Sequence, residues 1–216
     1  MEYQAVLFDF DYTLGDATEA IVAGFTHAFS HMGHPIPSRE EVRGTVGMML
    51  EDAYTFLTKD EDTARRAEFR RLFAEVGHPM QLAGVPLFPG AAELILALRD
   101  AGVPTGVISS KRTDALVSIL AQHGLDSVMS LVIGGDKVTK PKPDPEGILA
   151  AAAALSLQPG QVLYCGDTVI DAEAAQRAGV RFCPVLNGVT PAEAFAPYPW
   201  EHVASDLIEL RRWLGI

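Results

Sequence analysis

Apolar residues along this chain follow two rhythms. The first is a series of short, nearly continuous runs: AVLFDF, VPTGVIS, SLVIG, QVLYCG and VRFCPVL. Runs this short, apolar at successive positions, fit strands covered on both faces. The second rhythm has the period of a helix. Leu94, Ile95 and Leu98 share one face, as do Leu116, Ile119 and Leu120, and later Leu207, Leu210 and Leu214. The segments DAGV and RAGV place a glycine stop before two of the apolar runs. Strand and helix in alternation predict an α/β fold, a parallel sheet with helices on both faces.

One stretch breaks the alternation. From Thr18 to Ala83 the pattern is helical throughout, with Ile21, Phe25, Phe29 and Met32, then Phe69, Leu72, Phe73 and Val76. HMGHPIPS and TKDED read as turns joining about four helices. The organisation expected is a core of residues 1–16 and 84–216, with a small all-helical domain at 17–83 inserted after the first strand. Such an insertion overhangs the carboxyl ends of the strands, where open α/β sheets bind ligands.

Composition narrows the function classes. The 216 residues are 48% hydrophobic and 21% charged, enough for a sizeable core. A formal charge of −11 argues against nucleic acid and against an anionic membrane surface. Cys165 and Cys183 sit in apolar segments and are expected to be buried free thiols. The opening MEYQ carries no basic run, and no apolar run reaches the roughly 18 residues of a membrane span. A cytoplasmic protein, monomer or homodimer, is expected.

The chemistry concentrates at strand ends. LFDFDYTLGD gives Asp9, Asp11 and Thr13 in a D-x-D-x-T pattern, with Asp16 close behind. GVISSK offers Ser109, Ser110 and Lys111; KPKPDP offers Lys140 and Lys142; YCGDTVID offers Asp167 and Asp171. In a parallel sheet these segments converge on one edge. Carboxylates, hydroxyls and a lysine together suit magnesium and a phosphate group, the first needing oxygen ligands and the second donors with positive charge.

These four motifs, in this order, resemble those of the haloacid dehalogenase superfamily phosphatases with a helical cap, in the phosphoglycolate phosphatase and β-phosphoglucomutase branch. The resemblance covers nearly the whole chain and implies a Rossmann-like core under the cap. It implies a magnesium-dependent hydrolase of a small phosphomonoester, phosphoglycolate-like or a sugar phosphate, with a phosphomutase as the alternative. Asp9 would be the nucleophile, carrying a transient aspartyl-phosphate, and Asp11 the acid and base. Thr13 would hold these two carboxylates beside the phosphate. Ser109, with Ser110, would bind a phosphate oxygen, and Lys140 would offset charge on Asp9 and the phosphoryl group, leaving Lys142 exposed. Mg2+ would sit on Asp9, the Asp11 carbonyl and Asp167, with Asp171 orienting metal-bound water.

Other residues carry weaker signals. Met48, Met49 and Leu50 match the cap loop that family members project over the site, so Arg43, Gly47 and Met48 are candidates for substrate specificity, with Lys111, just beyond the hydroxyl motif, placed to meet an anionic substrate. Asp16 is expected to cap the first inserted helix. His27 and His31 are expected to be a surface pair. Tyr12 stands where the family usually has glycine, so the turn must avoid positive φ or accept strain.

Overall fold

The computed structural model describes residues 3–216. Five parallel strands form one sheet: β1 (Ala5–Phe8), β2 (Thr105–Ile108), β3 (Leu131–Ile133), β4 (Val162–Gly166) and β5 (Arg181–Pro184), in the order β3-β2-β1-β4-β5. Register is fixed by pairs such as Phe8 with Val107 on one side and Phe8 with Cys165 on the other. The strand carrying Asp9 and Asp11 is thus central. The order reverses at β1, and at such a point the crossover helices part and leave a crevice at the carboxyl ends.

Helices α5 (Ala91–Asp100), α6 (Thr113–Gln122), α7 (Glu146–Ala154), α8 (Val169–Ala178) and α9 (Leu207–Leu214) cover the sheet. One face packs Phe8, Val107 and Cys165 against Leu94, Leu116, Ile119 and Leu210; the other packs Leu7 and Tyr164 against Ile148, Ala172 and Phe182. The sheet is buried on both sides because its strands are apolar at successive positions. Cys165 and Cys183 are neighbours on β4 and β5, buried and free.

Between β1 and α5 lie α1 (Thr18–His31), α2 (Arg39–Arg43), α3 (Leu50–Thr58) and α4 (Thr63–Ala83). They form a separate apolar cluster in which Phe25, Phe29, Tyr54, Phe69 and Phe73 meet. Phe69 lies edge-on to Phe25 and Phe29, with ring centroids 5.1 and 5.6 Å apart, a geometry that places ring edges on electron-rich faces. Gly24 and Gly77 let α1 and α4 close on Phe73: an added Cβ on Gly24 would come within 2.5 Å of that ring.

The two strands of chain that enter and leave this cap touch. Asp16 N–H donates to the Pro86 carbonyl and Phe88 N–H to that of Leu14, both at 2.9 Å. No helix among the described residues is long and apolar enough to cross a membrane.

Candidate active site

Four segments meet at the carboxyl edge of the sheet, and each brings a polar side chain into burial. Asp9, Asp11, Ser109, Lys111, Asp167 and Asp171 are all buried. Charges removed from water cost several kcal/mol each unless paired or hydrogen-bonded, so their partners define the site.

The lysine at the centre is Lys142. Its Nζ lies 2.8 Å from Asp9 Oδ1 and 2.5 Å from Asp171 Oδ1, and it donates to the Tyr164 hydroxyl at 3.0 Å. Lys140, which the motif reading favoured, is exposed. It lines a slit of about 20 Å3 with Ser109 and Ser110, and its N–H donates to Glu146 Oε2 at 2.8 Å. The correction has a plain origin. K-P-x-P fits this stretch twice, once from Lys140 and once from Lys142. The Glu146 carboxylate, in the first turn of α7, also accepts from Thr139 and so holds residues 139 and 140 at the surface. Two residues further on, the chain turns inward.

Tyr164 and Thr168 complete the cradle. Tyr164 donates to Asp171 Oδ1 at 3.0 Å and to the Ile108 carbonyl at 3.2 Å. Thr168 donates its hydroxyl to Asp171 Oδ2 at 2.6 Å, and the two residues cap α8 reciprocally. Both Asp171 oxygens are therefore engaged. Sequence pattern could not single out Tyr164, since an aromatic residue inside a buried strand reads as core.

Asp11 and Asp167 contrast with Asp171. Asp11 Oδ2 meets the buried Lys111 Nζ at 3.1 Å, while its Oδ1 is buried without a partner. Lys111, expected at the edge of the site, is sealed within it. Thr13 does not hold the Asp9 and Asp11 side chains together; its hydroxyl donates to Asp167 Oδ1 at 3.3 Å. Asp167 Oδ2 is the second buried oxygen without a partner. It also faces Gly188, where an added Cβ would overlap it at 2.1 Å, so only glycine leaves room there. Ser109 Oγ accepts the Lys111 N–H at 3.4 Å, and Ser110 is half-buried beside it.

Burial raises the Asp9 carboxyl from 3.8 to about 6, with Asp171 and Asp11 adding to the rise and Lys142 opposing it. Burial, then Asp171 and Asp9, pushes Asp167 well above its ordinary value. Burial alone would lower Lys142, but Asp171 and Asp9 hold it well above the usual lysine range. The cluster is short of positive charge.

A cation fits that deficit. Single oxygens of Asp9, Asp167 and Asp171 lie within 4.8 Å of one another, and the unpartnered Asp167 Oδ2 is among the buried atoms of this cluster. All-oxygen donors suit a hard divalent ion. With both its oxygens bonded, Asp171 is better placed to orient than to ligate.

Tyr12 accepts the strain. It sits at φ 61°, a region costing a non-glycine residue roughly 1–2 kcal/mol, with its ring buried. Its hydroxyl lies 2.7 Å from Thr18 Oγ1 and accepts from Arg43 Nε at 3.3 Å. Arg43 lies over the Tyr12 ring, 5.5 Å from its centroid, and is not among the residues lining the cavity between cap and core. Gly47 and Met48 do line the large cavity between cap and core, beside Ser110 and Lys111. Gly47, at φ 98°, brings the cap loop against Thr168. Asp16 Oδ1 accepts the Thr18 N–H at 3.0 Å, one residue ahead of the α1 cap position. His27 bonds Glu75 at 3.0 Å on the cap surface, with the His31 ring tilted against it at 4.1 Å between centroids.

Residues 6–185 match the family described as haloacid dehalogenase-like hydrolase. The phosphoglycolate phosphatase of Salmonella typhimurium is 29% identical over 214 residues, covering 89% of this chain and 85% of that protein. A Dickeya dadantii protein named "Probable phosphatase IndB" is 33% identical over 189 residues, 85% of this chain and 81% of its own. A Bacteroides fragilis structure titled "Putative haloacid dehalogenase-like hydrolase" superposes with a TM-score of 0.93 at 36% identity, covering 96% of this chain and 99% of that one. Fold, motif order and relatives agree: the chain belongs to the haloacid dehalogenase-like hydrolases.

Proposed function

We propose that the protein is a magnesium-dependent phosphatase that hydrolyses a small phosphomonoester through an aspartyl-phosphate at Asp9. The observation that carries this reading is the division of labour between Asp9 and Asp11. Asp9 is locked to Lys142 in the buried cluster, while Asp11, two residues on, pairs with Lys111 instead and belongs to the lining of the cavity between cap and core.

Asp9 attacks phosphorus as the bond to the leaving oxygen breaks. Asp11 gives that oxygen a proton, then accepts one from the water that cleaves the acyl phosphate and regenerates Asp9. Two neighbouring carboxylates can serve as nucleophile and acid because their surroundings differ. Lys142 offsets the charge on Asp9, and the Ser109 hydroxyl donates to a phosphoryl oxygen. Asp9, Asp167 and the main chain at Asp11 would hold magnesium, with Asp171 behind them; bound there, the ion supplies charge neutralisation and Lewis-acid polarisation of the phosphoryl group. Named relatives that are phosphatases support the activity, and two buried free thiols support a reducing, cytoplasmic setting.

Phosphate release from a panel of phosphorylated metabolites is expected with magnesium and is lost in EDTA. Release that persists unchanged in EDTA contradicts the metal requirement. Transfer to a second substrate hydroxyl faster than release to water contradicts hydrolysis.

A further inference from the structure

The cavity between cap and core has a volume of about 670 Å3. That is the liquid volume of roughly 20 water molecules, far more than the two-carbon leaving group of phosphoglycolate fills. Asp11 is among the residues lining it, so the group attached to the oxygen that Asp11 protonates has this space to occupy. Its walls are apolar where they meet the cap: Ile21, Phe25, Met48, Met49, Leu50 and Phe73. Unbranched, polarisable methionines adapt to the shape of an apolar guest.

Charge supplies an independent argument. Every basic side chain lining the cavity already faces a carboxylate. Lys111 meets Asp11 at 3.1 Å, Arg70 meets Glu51 at 3.1 Å and Arg71 meets Glu75 at 2.5 Å. Arg112 and His78 share Asp114, at 3.1 and 3.6 Å. Outside the Lys111–Asp11 pair, a second anionic group on the substrate would have to displace a carboxylate to reach a cation here.

Resting on the phosphatase reading, we infer that the preferred substrate is a phosphomonoester whose leaving alcohol carries an uncharged, largely apolar body of ring size or larger. A short acid such as glycolate leaves the apolar wall wet, and its own carboxylate competes with those of the protein for the arginines. A ring seated on Met48, Met49 and Phe73 buries apolar area that phosphoryl contacts alone cannot supply.

The test compares three primary-alcohol esters at one magnesium concentration: 2-phenylethyl phosphate, ethyl phosphate and phosphoglycolate. The expected kcat/KM for the phenyl ester exceeds each of the others at least tenfold. Met49→Lys, which adds a free cation to the wall, is expected to shift the ratio at least tenfold toward phosphoglycolate. Equal values for phenyl and ethyl esters, or phosphoglycolate as the best of the three, overturn the inference. Dissociation constants for the same esters on Asp9→Asn, measured by calorimetry, separate the two claims. If wild type releases phosphate from none of them the phosphatase reading fails, while the order of binding still decides what the cavity prefers.

Discussion

The sheet edge buries four aspartates and two lysines within one site, whereas the cap buries rings and aliphatic chains around Phe69. The difference shows in what each region requires of its neighbours. In the cap, any apolar side chain of suitable volume could fill much of the space. At the sheet edge both Asp171 oxygens and one oxygen each of Asp9, Asp11 and Asp167 meet a specific neighbour, while two buried oxygens, on Asp11 and Asp167, have none and leave room for a further group. On the proposed function, chemistry resides in the core and the cap supplies a wall that selects. Tyr12 joins them, its backbone in the nucleophile loop and its hydroxyl beside Thr18 and Arg43 of the cap.

The largest effect that can break this contrast comes from the two lysines of KPKPDP. Lys142→Met leaves Asp9 and Asp171 buried without their cation, and is expected to cost about 3–5 kcal/mol of stability. Removing one charged donor to the reacting group is expected to lower kcat by about 10²–10³. Lys140→Met at the surface is expected to change stability by less than about 0.5 kcal/mol and to leave turnover within about twofold. Chemical denaturation and steady-state rates check both. A larger loss at Lys140 than at Lys142 restores the motif assignment the structure displaced.

A second effect is confined to the core. The Asp9 carboxyl titrates at about 6 in the folded protein against 3.8 ordinarily. Between those values the folded state binds more protons than the unfolded, so stability falls as pH rises through the interval. The favourable contribution is complete below pH 3.8 and gone above about 6. Without metal, Asp9→Asn cannot ionise and should gain stability relative to wild type from pH 4 to 6.5, then level off. Magnesium should raise the melting temperature of wild type most at the upper end, where the carboxylates are ionised. A difference between the two proteins that does not vary with pH would contradict the burial argument.

The smallest expected effect is at the joint. Tyr12→Phe removes a hydroxyl shared with Thr18 and Arg43 and should cost roughly 1 kcal/mol. Thermal unfolding measures it; no change would mean that the cap is tied to the core elsewhere.

How far the sequence revealed this arrangement depends on whether position along the chain determines position in space. The five apolar runs became five strands because continuous apolarity suits a sheet covered on both faces. Asp9, Asp11 and Asp167 were legible for a related reason, since a carboxylate directly after a parallel strand has few places to go. Lys142 was not, because an irregular loop can present either of two lysines and the Glu146 contact that decides between them is invisible in a pattern. Thr13 pairs with a residue 154 positions away, which local spacing cannot foresee. The contact of Arg43 with Tyr12 was not foreseen either, because it spans 31 positions and depends on a ring where the family usually has glycine.

The account's central claim is that Asp9 forms the bond to phosphorus. Rapid acid quench during turnover, followed by borohydride reduction, converts an aspartyl-phosphate to homoserine at the residue that carried it. Mass spectrometry of the digested protein is expected to place homoserine at position 9. Homoserine at position 11 or 167, or steady turnover with unmodified Asp9 at every quench time, would contradict it.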